Sequence, residues 1–184
     1  MSSVLHFASL ESATAGLLHT LFQLFISLLM VRFLLPLVKA NYFNPICQFI
    51  IKITDPLLKP LRRVIPNIGR FDGAVVVLMI ALQLLEGWII SALAGRSFPI
   101  THLLAYAGLS LIQMLLVMYL VFIIANAILS WFAHSIRHPI LPLLDQLTAP
   151  VLQPIRRIIP LIGGIDISPL VAIIAIQFLI RLLG

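Results

Sequence analysis

Long apolar stretches alternate along the chain with shorter segments that carry most of its charge. A helix needs about 20 apolar residues to cross the roughly 30 Å hydrocarbon core of a bilayer. Four stretches reach or approach that length, at residues 15–36, 74–94, 100–132 and 167–183. The third is longer than one crossing requires, so we place its core at residues 108–131 and leave His102 outside or interfacial. The pattern predicts four transmembrane helices.

A second pattern fills residues 44–72 and residues 138–166, between these stretches. Each block holds two short amphipathic segments separated by Thr-x-Pro. In the first block Leu57, Leu58 and Leu61 share one helical face, and Lys59 and Arg62 lie on the other. About ten residues at 1.5 Å each cover only ~15 Å, so no such segment crosses the bilayer. We predict short amphipathic helices lying in the interface.

The two blocks match without a gap at an offset of 94 residues, with 13 of 29 positions identical. Most identities are Pro, Gly, Arg or Asp, which shared hydrophobicity does not produce, so the chain is a duplication. We divide it into a first repeat, residues 1–94, and a second, residues 95–184. The shared motif consists of Thr54, Pro56, Pro60, Pro66, Gly69 and Asp72 in the first copy, and Thr148, Pro150, Pro154, Pro160, Gly163 and Asp166 in the second.

These motif residues have local roles that follow from backbone chemistry. Thr54 and Thr148 are expected to be helix N-caps, because a proline follows each in the first turn. Pro60 and Pro154 would then kink or restart the helix. Pro66 and Pro160 would end it, the glycines would allow a turn, and Asp72 and Asp166 would cap the next span.

Composition and charge extend this interpretation. Hydrophobic residues make up 61% of the chain and charged residues 10%, with a mean hydropathy of +1.15, whereas soluble domains are about 25% charged. Nine Lys and Arg residues lie between spans one and two or three and four, against one, Arg96, between spans two and three. Because positive loops stay inside, we expect a multi-pass membrane protein with cytoplasmic blocks and both termini outside.

The fold expected from these patterns is an all-α membrane protein. Four transmembrane helices form two repeats, each with short amphipathic helices between its spans. Because two crossings separate the blocks, the repeats are parallel and not inverted.

The basic residues of the blocks admit two interpretations. They belong either to a structural collar that orients the paired spans or to a re-entrant gate or docking site for anionic lipid or a protein partner. The residues concerned are Lys59, Arg62, Arg63, Arg156 and Arg157. The pI of about 10.3 would suggest nucleic acid in a soluble chain. Here the charge lies beside the membrane, so we expect lipid headgroups as partners and no nucleic acid.

Ionisable and amide side chains within the spans form a further set of candidates, because such groups are costly in hydrocarbon. The set is Arg32, Gln83, Glu86, Asn126, Gln177 and Arg181. Glu86 and Arg181 occupy neighbouring heights in equivalent helices, and we predict that they pair. Gln83 and Gln177 are repeat equivalents that could hydrogen-bond, so structural contact is the first interpretation and proton or cation passage past Glu86 is the alternative.

Enzyme chemistry finds no support in the sequence. It contains no G-x-S-x-G, H-E-x-x-H or P-loop pattern. The single Cys47 excludes a cysteine metal cluster and an intramolecular disulfide. We therefore expect no catalytic residues, no metal site and no cofactor.

The order N-P, T-x-P-x-L-x-P-x-R-R-x-I-P, I-G and Asp closely resembles the YggT family, called YlmG in other bacteria and plastids. The resemblance covers both halves and implies a small inner-membrane protein linked to osmotic or extracytoplasmic stress and ion homeostasis. It implies no biochemical activity. We expect a non-enzymatic membrane scaffold or assembly factor. The alternative is an oligomeric K⁺ or H⁺ channel or transporter, or a regulator of one. The expected partners of the protein are other membrane proteins and further copies of the chain.

Overall fold

The computed structural model describes residues 2–93, 95, 99–132, 138–159 and 166–183, without the side chains of residues 2–12 and of 131–132. Pro160 and Gly163 of the second motif lie outside these residues. Within them the regular structure is helical, with one isolated bridge between Ile68 and Phe71. The six helices are α1 (Ser2–Leu37), α2 (Pro45–Leu61), α3 (Gly73–Leu93), α4 (Ile100–Phe132), α5 (Ile140–Ile158) and α6 (Ser168–Leu183).

Three of these helices are long and apolar enough to cross a membrane. The candidate spans are Ala13–Leu37, Gly73–Leu93 and Ile100–Ser130. The predicted fourth span corresponds to α6, an apolar helix of 16 residues. It is about 24 Å long at 1.5 Å per residue, which is shorter than the hydrocarbon core. The all-helical membrane class is confirmed, and the sequence prediction of four spans exceeds the three that length and composition identify.

The four apolar helices α1, α3, α4 and α6 pack as two antiparallel pairs. In the first pair, His19 of α1 contacts Glu86 of α3, and further along α1 Leu29 lies in one core cluster with Val75. In the second, Gln113 of α4 bonds the carbonyl of Leu183, while Ile123 lies with Ala172. Since α3 and α4 also run antiparallel, as the contact of Gln83 with Ser110 and that of Gly87 with Leu103 show, α1 and α4 point the same way.

The repeat blocks differ from the sequence prediction. Each forms one helix, α2 of 17 residues or α5 of 19, where two short ones were expected. Thr54 and Thr148 lie inside these helices and donate to the carbonyls of Ile50 and Leu144, so the prediction that they are N-caps is wrong. Asn44 is the N-cap of α2 and accepts from the amide of Ile46.

Burial explains why these helices continue through their prolines. Cys47, Ile50, Thr54 and Leu58 form an unbroken buried stripe on α2. An internal proline costs a helix about 3 kcal/mol, but most helical stability in a protein comes from packing of such a face. The periodicity across the Thr-x-Pro therefore outweighs the break that each proline suggests.

A tight connection joins each block helix to the next apolar helix. After α2, Ile68 and Phe71 exchange backbone hydrogen bonds around Gly69, whose φ of +62° favours glycine. Asp72 then accepts a hydrogen bond from the amide of Val75 at 3.4 Å, which is N-cap geometry. Asp166 accepts from the amide of Ser168, the first residue of α6, at 2.9 Å.

Candidate functional site

An arginine from each block helix closes back on the aspartate that caps the following helix. In the first repeat, Arg62 Nη2 lies 2.5 Å from Asp72 Oδ2, and Arg62 Nη1 lies 3.5 Å from Asp55 Oδ1. Asp72 is buried, because its side chain is only 6% exposed. We call the pair Arg62–Asp72 the first clasp. It links the end of α2 to the start of α3 with a charge-assisted hydrogen bond.

The second clasp joins Arg156 and Asp166, whose Nε and Oδ2 atoms lie 2.8 Å apart. Its side chains are 49% and 30% exposed. Partial burial would raise the pKa of Asp166, but hydrogen bonds from Ser168 and then Arg156, with the Arg156 charge, outweigh it and hold that pKa below the ordinary 3.8. The predicted lipid-binding residues Arg62 and Arg156 thus make internal contacts.

The second arginine of each pair has a different environment. Arg63 and Arg157 are exposed, and neither has a polar partner among the residues that the structure describes. Each is followed by an exposed aliphatic side chain, Val64 at 82% and Ile158 at 80%. Lys59 is also exposed and lies 3.9 Å from Asp55. Each block therefore offers a cation beside an apolar surface, which suits a lipid headgroup region.

A polar cluster lies between α1 and α3, towards the ends of these helices that are remote from the block. Glu86 is 3% exposed and accepts from Gln23 Nε2 at 3.0 Å, while its Oε1 lies 2.5 Å from His19 Nδ1. The His19 side chain is 51% exposed. We call His19, Gln23 and Glu86 the α1–α3 cluster.

The predicted pairing of Glu86 with Arg181 is wrong, and the possible contact between Gln83 and Gln177 does not form. Glu86 pairs with α1 and not with Arg181, because α4 packs between α3 and α6. Arg181 has no ion-pair partner within the described residues. Gln83 is 1% exposed and donates to Ser110 Oγ at 3.1 Å, whereas its repeat equivalent Gln177 is exposed and does not meet it.

Arg32 and Asn126 occupy equivalent positions and are both buried, at 8% exposure. Asn126 Nδ2 donates to Thr148 Oγ1 at 3.0 Å, which ties α4 to α5. Arg32 lies near the thiol of Cys47, which is fully buried. Burial raises the pKa of that thiol, although the Arg32 charge opposes the shift.

Gln23 was not among the intramembrane candidates predicted from the sequence, and neither was His19. Their signal was their i, i+4 spacing, which places two polar side chains on one face of an apolar helix. As for metals, the described residues contain no group of three or more His, Cys, Asp or Glu side chains that could hold an ion.

Comparison with known proteins decides the family. The model of the CCB3/YggT family matches residues 12–93 and again residues 105–184. The chain belongs to the CCB3/YggT family. It carries two copies of the repeat, as the internal match indicates, so both the resemblance and the duplication are confirmed.

Relatives of this YggT-family chain extend over most of its length. It is 40% identical over 172 residues to an uncharacterised protein encoded in the proC 3′ region of Vibrio alginolyticus, covering 91% of each chain. An uncharacterised protein of Pseudomonas aeruginosa is 36% identical over 92% of this chain and 87% of its own. The uncharacterised protein YggT of Escherichia coli K12 is 35% identical over 86% and 82%. No solved structure matches the chain significantly.

Proposed function

We propose that this YggT-family protein is a non-enzymatic scaffold of the bacterial inner membrane, with four crossings and both amphipathic helices on the cytoplasmic face. The single observation that carries the proposal is the arginine pair of each repeat. One arginine holds the block helix against the next span, and the other is left free beside an exposed aliphatic residue. Arg63 with Val64, and Arg157 with Ile158, form two rigidly oriented cationic surfaces that face one leaflet. We call these two surfaces the wedges.

The fourth crossing is supported by the surroundings of α6. Leu170, Ile174 and Phe178 are 58–66% exposed on this helix, and such apolar surface is expected to face lipid and not water. A bilayer accommodates a short span by local thinning or by interfacial side chains at modest cost. Arg181, in the last turn of α6, would reach the outer interface by extending its side chain.

In the cell, we assign the scaffold to the response to osmotic or extracytoplasmic stress and to ion homeostasis, as the family resemblance suggests. Fixed wedges at the inner leaflet would hold anionic lipid or the cytoplasmic edge of another membrane protein. The scaffold would hold these molecules together in an assembly and would convert no substrate.

Cysteine labelling tests the topology. In a Cys47→Ser background, single cysteines replace Arg63, Arg157 or Leu183, and intact cells receive a membrane-impermeant thiol reagent. We expect the Leu183→Cys protein to be labelled from outside, and the two arginine positions to react only after the cells are opened. Labelling of Arg63→Cys and Arg157→Cys from opposite compartments would remove the parallel arrangement, and labelling of Leu183→Cys only in opened cells would remove the fourth crossing.

Lipid retention tests the wedges. The R63Q/R157Q variant is compared with wild type in nanodiscs containing a titrated fraction of phosphatidylglycerol, and the lipid around the protein is counted by native mass spectrometry. A basic residue near an anionic surface contributes about 1 kcal/mol, so losing two should weaken retention about 30-fold. The matched R63K/R157K variant keeps both charges and should retain lipid as wild type does. Equal retention by all three proteins contradicts the lipid-docking part of the proposal.

An ion conduit is the second candidate function, and the α1–α3 cluster is the observation that favours it. Ion flux into liposomes that is carried by the wild type and lost in E86Q would replace the scaffold with a conduit. An absence of flux, together with the same partner co-purifying with wild type and E86Q, would support the scaffold.

A further inference from the structure

The α1–α3 cluster buries a carboxyl group inside a candidate membrane span. Glu86 lies 13 residues beyond the start of α3, about 20 Å along the helix from the clasp. It is 3% exposed, and Gly73–Leu93 is one of the candidate spans. A lone carboxylate in such surroundings is strongly disfavoured and normally takes up a proton or a partner.

The partner in this structure is itself titratable. His19 Nδ1 and Glu86 Oε1 are within hydrogen-bond distance, and imidazole changes its charge near neutral pH. With one shared proton the pair is neutral overall, whether that proton resides on the ring or on the carboxyl. A second proton makes it cationic, and loss of the first makes it anionic, so the net charge is a property of the pair and not of either residue.

The other charged and titratable groups around Glu86 are remote or turned to the surface. On α1, the remaining one within Ala13–Leu37 is Arg32, 13 residues from His19. On α4, His102 and Tyr106 lie near the height of Gly87, which meets Leu103, and both are exposed. Those of α2 are Lys52, Asp55 and Lys59, which belong to the block end. Among the described side chains, His19 is therefore the titratable group in contact with Glu86.

Two further details indicate a polar site and not a closed salt bridge. Gln23 orients the second carboxyl oxygen by donating to it, leaving Oε1 for the imidazole. One turn along α3, the buried carboxamide oxygen of Gln83 has no hydrogen-bond partner in the described structure. Gln83 and Glu86 are three residues apart, so they share one face of the helix. An unpaired acceptor there is suited to a water molecule that takes part in proton exchange.

We propose that His19, Gln23 and Glu86 form an intramembrane proton-binding site of this protein, in which a proton arriving from the surface of the helix pair reaches Glu86 through the half-exposed ring of His19. On loading, a proton from the surface forms an N–H bond at the free Nε2 of the neutral ring while the proton on Nδ1 passes to the Glu86 carboxylate as an O–H bond, and release reverses the step. The site goes beyond the scaffold function and does not depend on it. The second repeat lacks the site, because Gln113, Val117 and Ile180 occupy the equivalent positions.

The composition of the chain permits a direct test on the full-length protein. It contains two glutamates, Glu11 and Glu86, so ¹³C-glutamate labelling gives two side-chain carboxyl signals in solid-state NMR of the protein in lipid. The variant E11Q assigns them. Labelling with ¹⁵N-histidine, with His19 assigned by the variant H19N, follows the ring in the same samples across a pH titration.

We expect the Glu86 carboxyl and the His19 ring nitrogens to respond together, within one pH interval, as a coupled pair does. In H19N, which keeps a hydrogen-bonding group near Nδ1 but cannot titrate, the Glu86 midpoint should move by more than one pH unit, as removal of a neighbouring charge does. In the matched H102N variant the midpoint should stay in place.

The wild-type titration alone can overturn the proposal, so it remains testable if a variant fails to fold. A Glu86 signal that stays ionised throughout, stays protonated throughout, or titrates at the Glu11 value without any response of His19 removes the site. An equal midpoint in H19N and wild type removes the role of His19. None of these results bears on the clasps or on lipid retention, so failure here leaves the proposed scaffold to its own tests.

Discussion

The two clasps have the same residues at the same spacing but lie in different surroundings. In the first repeat the arginine and aspartate side chains are 25% and 6% exposed, and in the second 49% and 30%. The first arginine also meets Asp55, whose equivalent in the second repeat is Ala149. The shared motif therefore fixes which groups meet, while the neighbouring residues decide how much the contact contributes to stability.

A similar contrast holds between the helix pairs. Polar groups join α1 to α3 through Glu86, whereas Gln113 joins α4 to α6 through the backbone carbonyl of Leu183. The position equivalent to Glu86 is Ile180. One repeat thus holds a titratable group at membrane depth, and its counterpart provides an apolar surface.

The largest difference between the repeats should appear in the free energy of unfolding when the aspartate charge of each clasp is removed in turn. Asn caps a helix as well as Asp, so D72N and D166N remove the ion pair while keeping the cap. We expect D72N to lower the free energy of unfolding by about 2 kcal/mol, because Arg62 is left half-buried with only Asp55 nearby. D166N should cost less than ~1 kcal/mol, as for an exposed pair. Unfolding in detergent with increasing denaturant measures both, and equal losses would contradict the contrast.

The second largest difference should be between the thiol reactivities of cysteines on the two block helices, α2 and α5. Cys47 is fully buried on α2, and its equivalent on α5 is the partly exposed Leu141. Because only the thiolate reacts and burial raises the pKa of Cys47, alkylation at pH 8 should be at least about tenfold slower at Cys47 than at a cysteine in the variant C47S/L141C. Similar rates would mean that α2 leaves its packed position.

Variants of Thr54 and Thr148 test the hydrogen bond between Asn126 and Thr148, a contact that only the second repeat makes. T54V and T148V each remove a bond to a carbonyl of the same helix, but T148V also leaves the amide of buried Asn126 without its acceptor. We expect T148V to be about 1 kcal/mol less stable than T54V, the usual cost of an unpaired buried group. The double variant N126L/T148V, which removes both partners, should recover part of that loss. Equal stability of the two single variants would show that the Asn126 contact contributes nothing.

Acid should produce the smallest effect, and it should do so through the second clasp. The folded pKa of Asp166 lies below the ordinary 3.8, so the contribution of this group is complete above about pH 4 and is lost as the pH falls through the folded value. The difference in unfolding free energy between wild type and D166N should therefore shrink below pH 4. A difference that stays constant down to pH 2.5 would mean that the carboxylate is not linked to stability.

Much of the fold was predictable from one sequence. Apolar runs gave the three long spans, because hydrocarbon imposes a length on any crossing helix. The repeated Pro, Gly, Arg and Asp positions gave the two blocks. The prolines misled the prediction within the blocks, since local chemistry indicated a break at Thr54 that the buried stripe around it overcame.

The contacts of the site were less predictable. Glu86 and Arg181 lie at similar positions along equivalent helices, which suggested that they meet. Position along a helix, however, does not determine which helices are neighbours. With α4 between α3 and α6, the partners of Glu86 come from α1. Likewise both arginines of each pair looked free in the sequence, and only the turn through Gly69 brings Arg62 back to Asp72.

By itself, then, the sequence determined the membrane class, the duplication and the amphipathic character of the blocks, because each depends on periodicity and composition along the chain. Helix packing set which charges are neutralised, which stay exposed and which polar groups meet inside the helix pair. Those outcomes depend on the order in which helices pack and on distances of a few ångströms between residues far apart in the chain, and no local pattern records them.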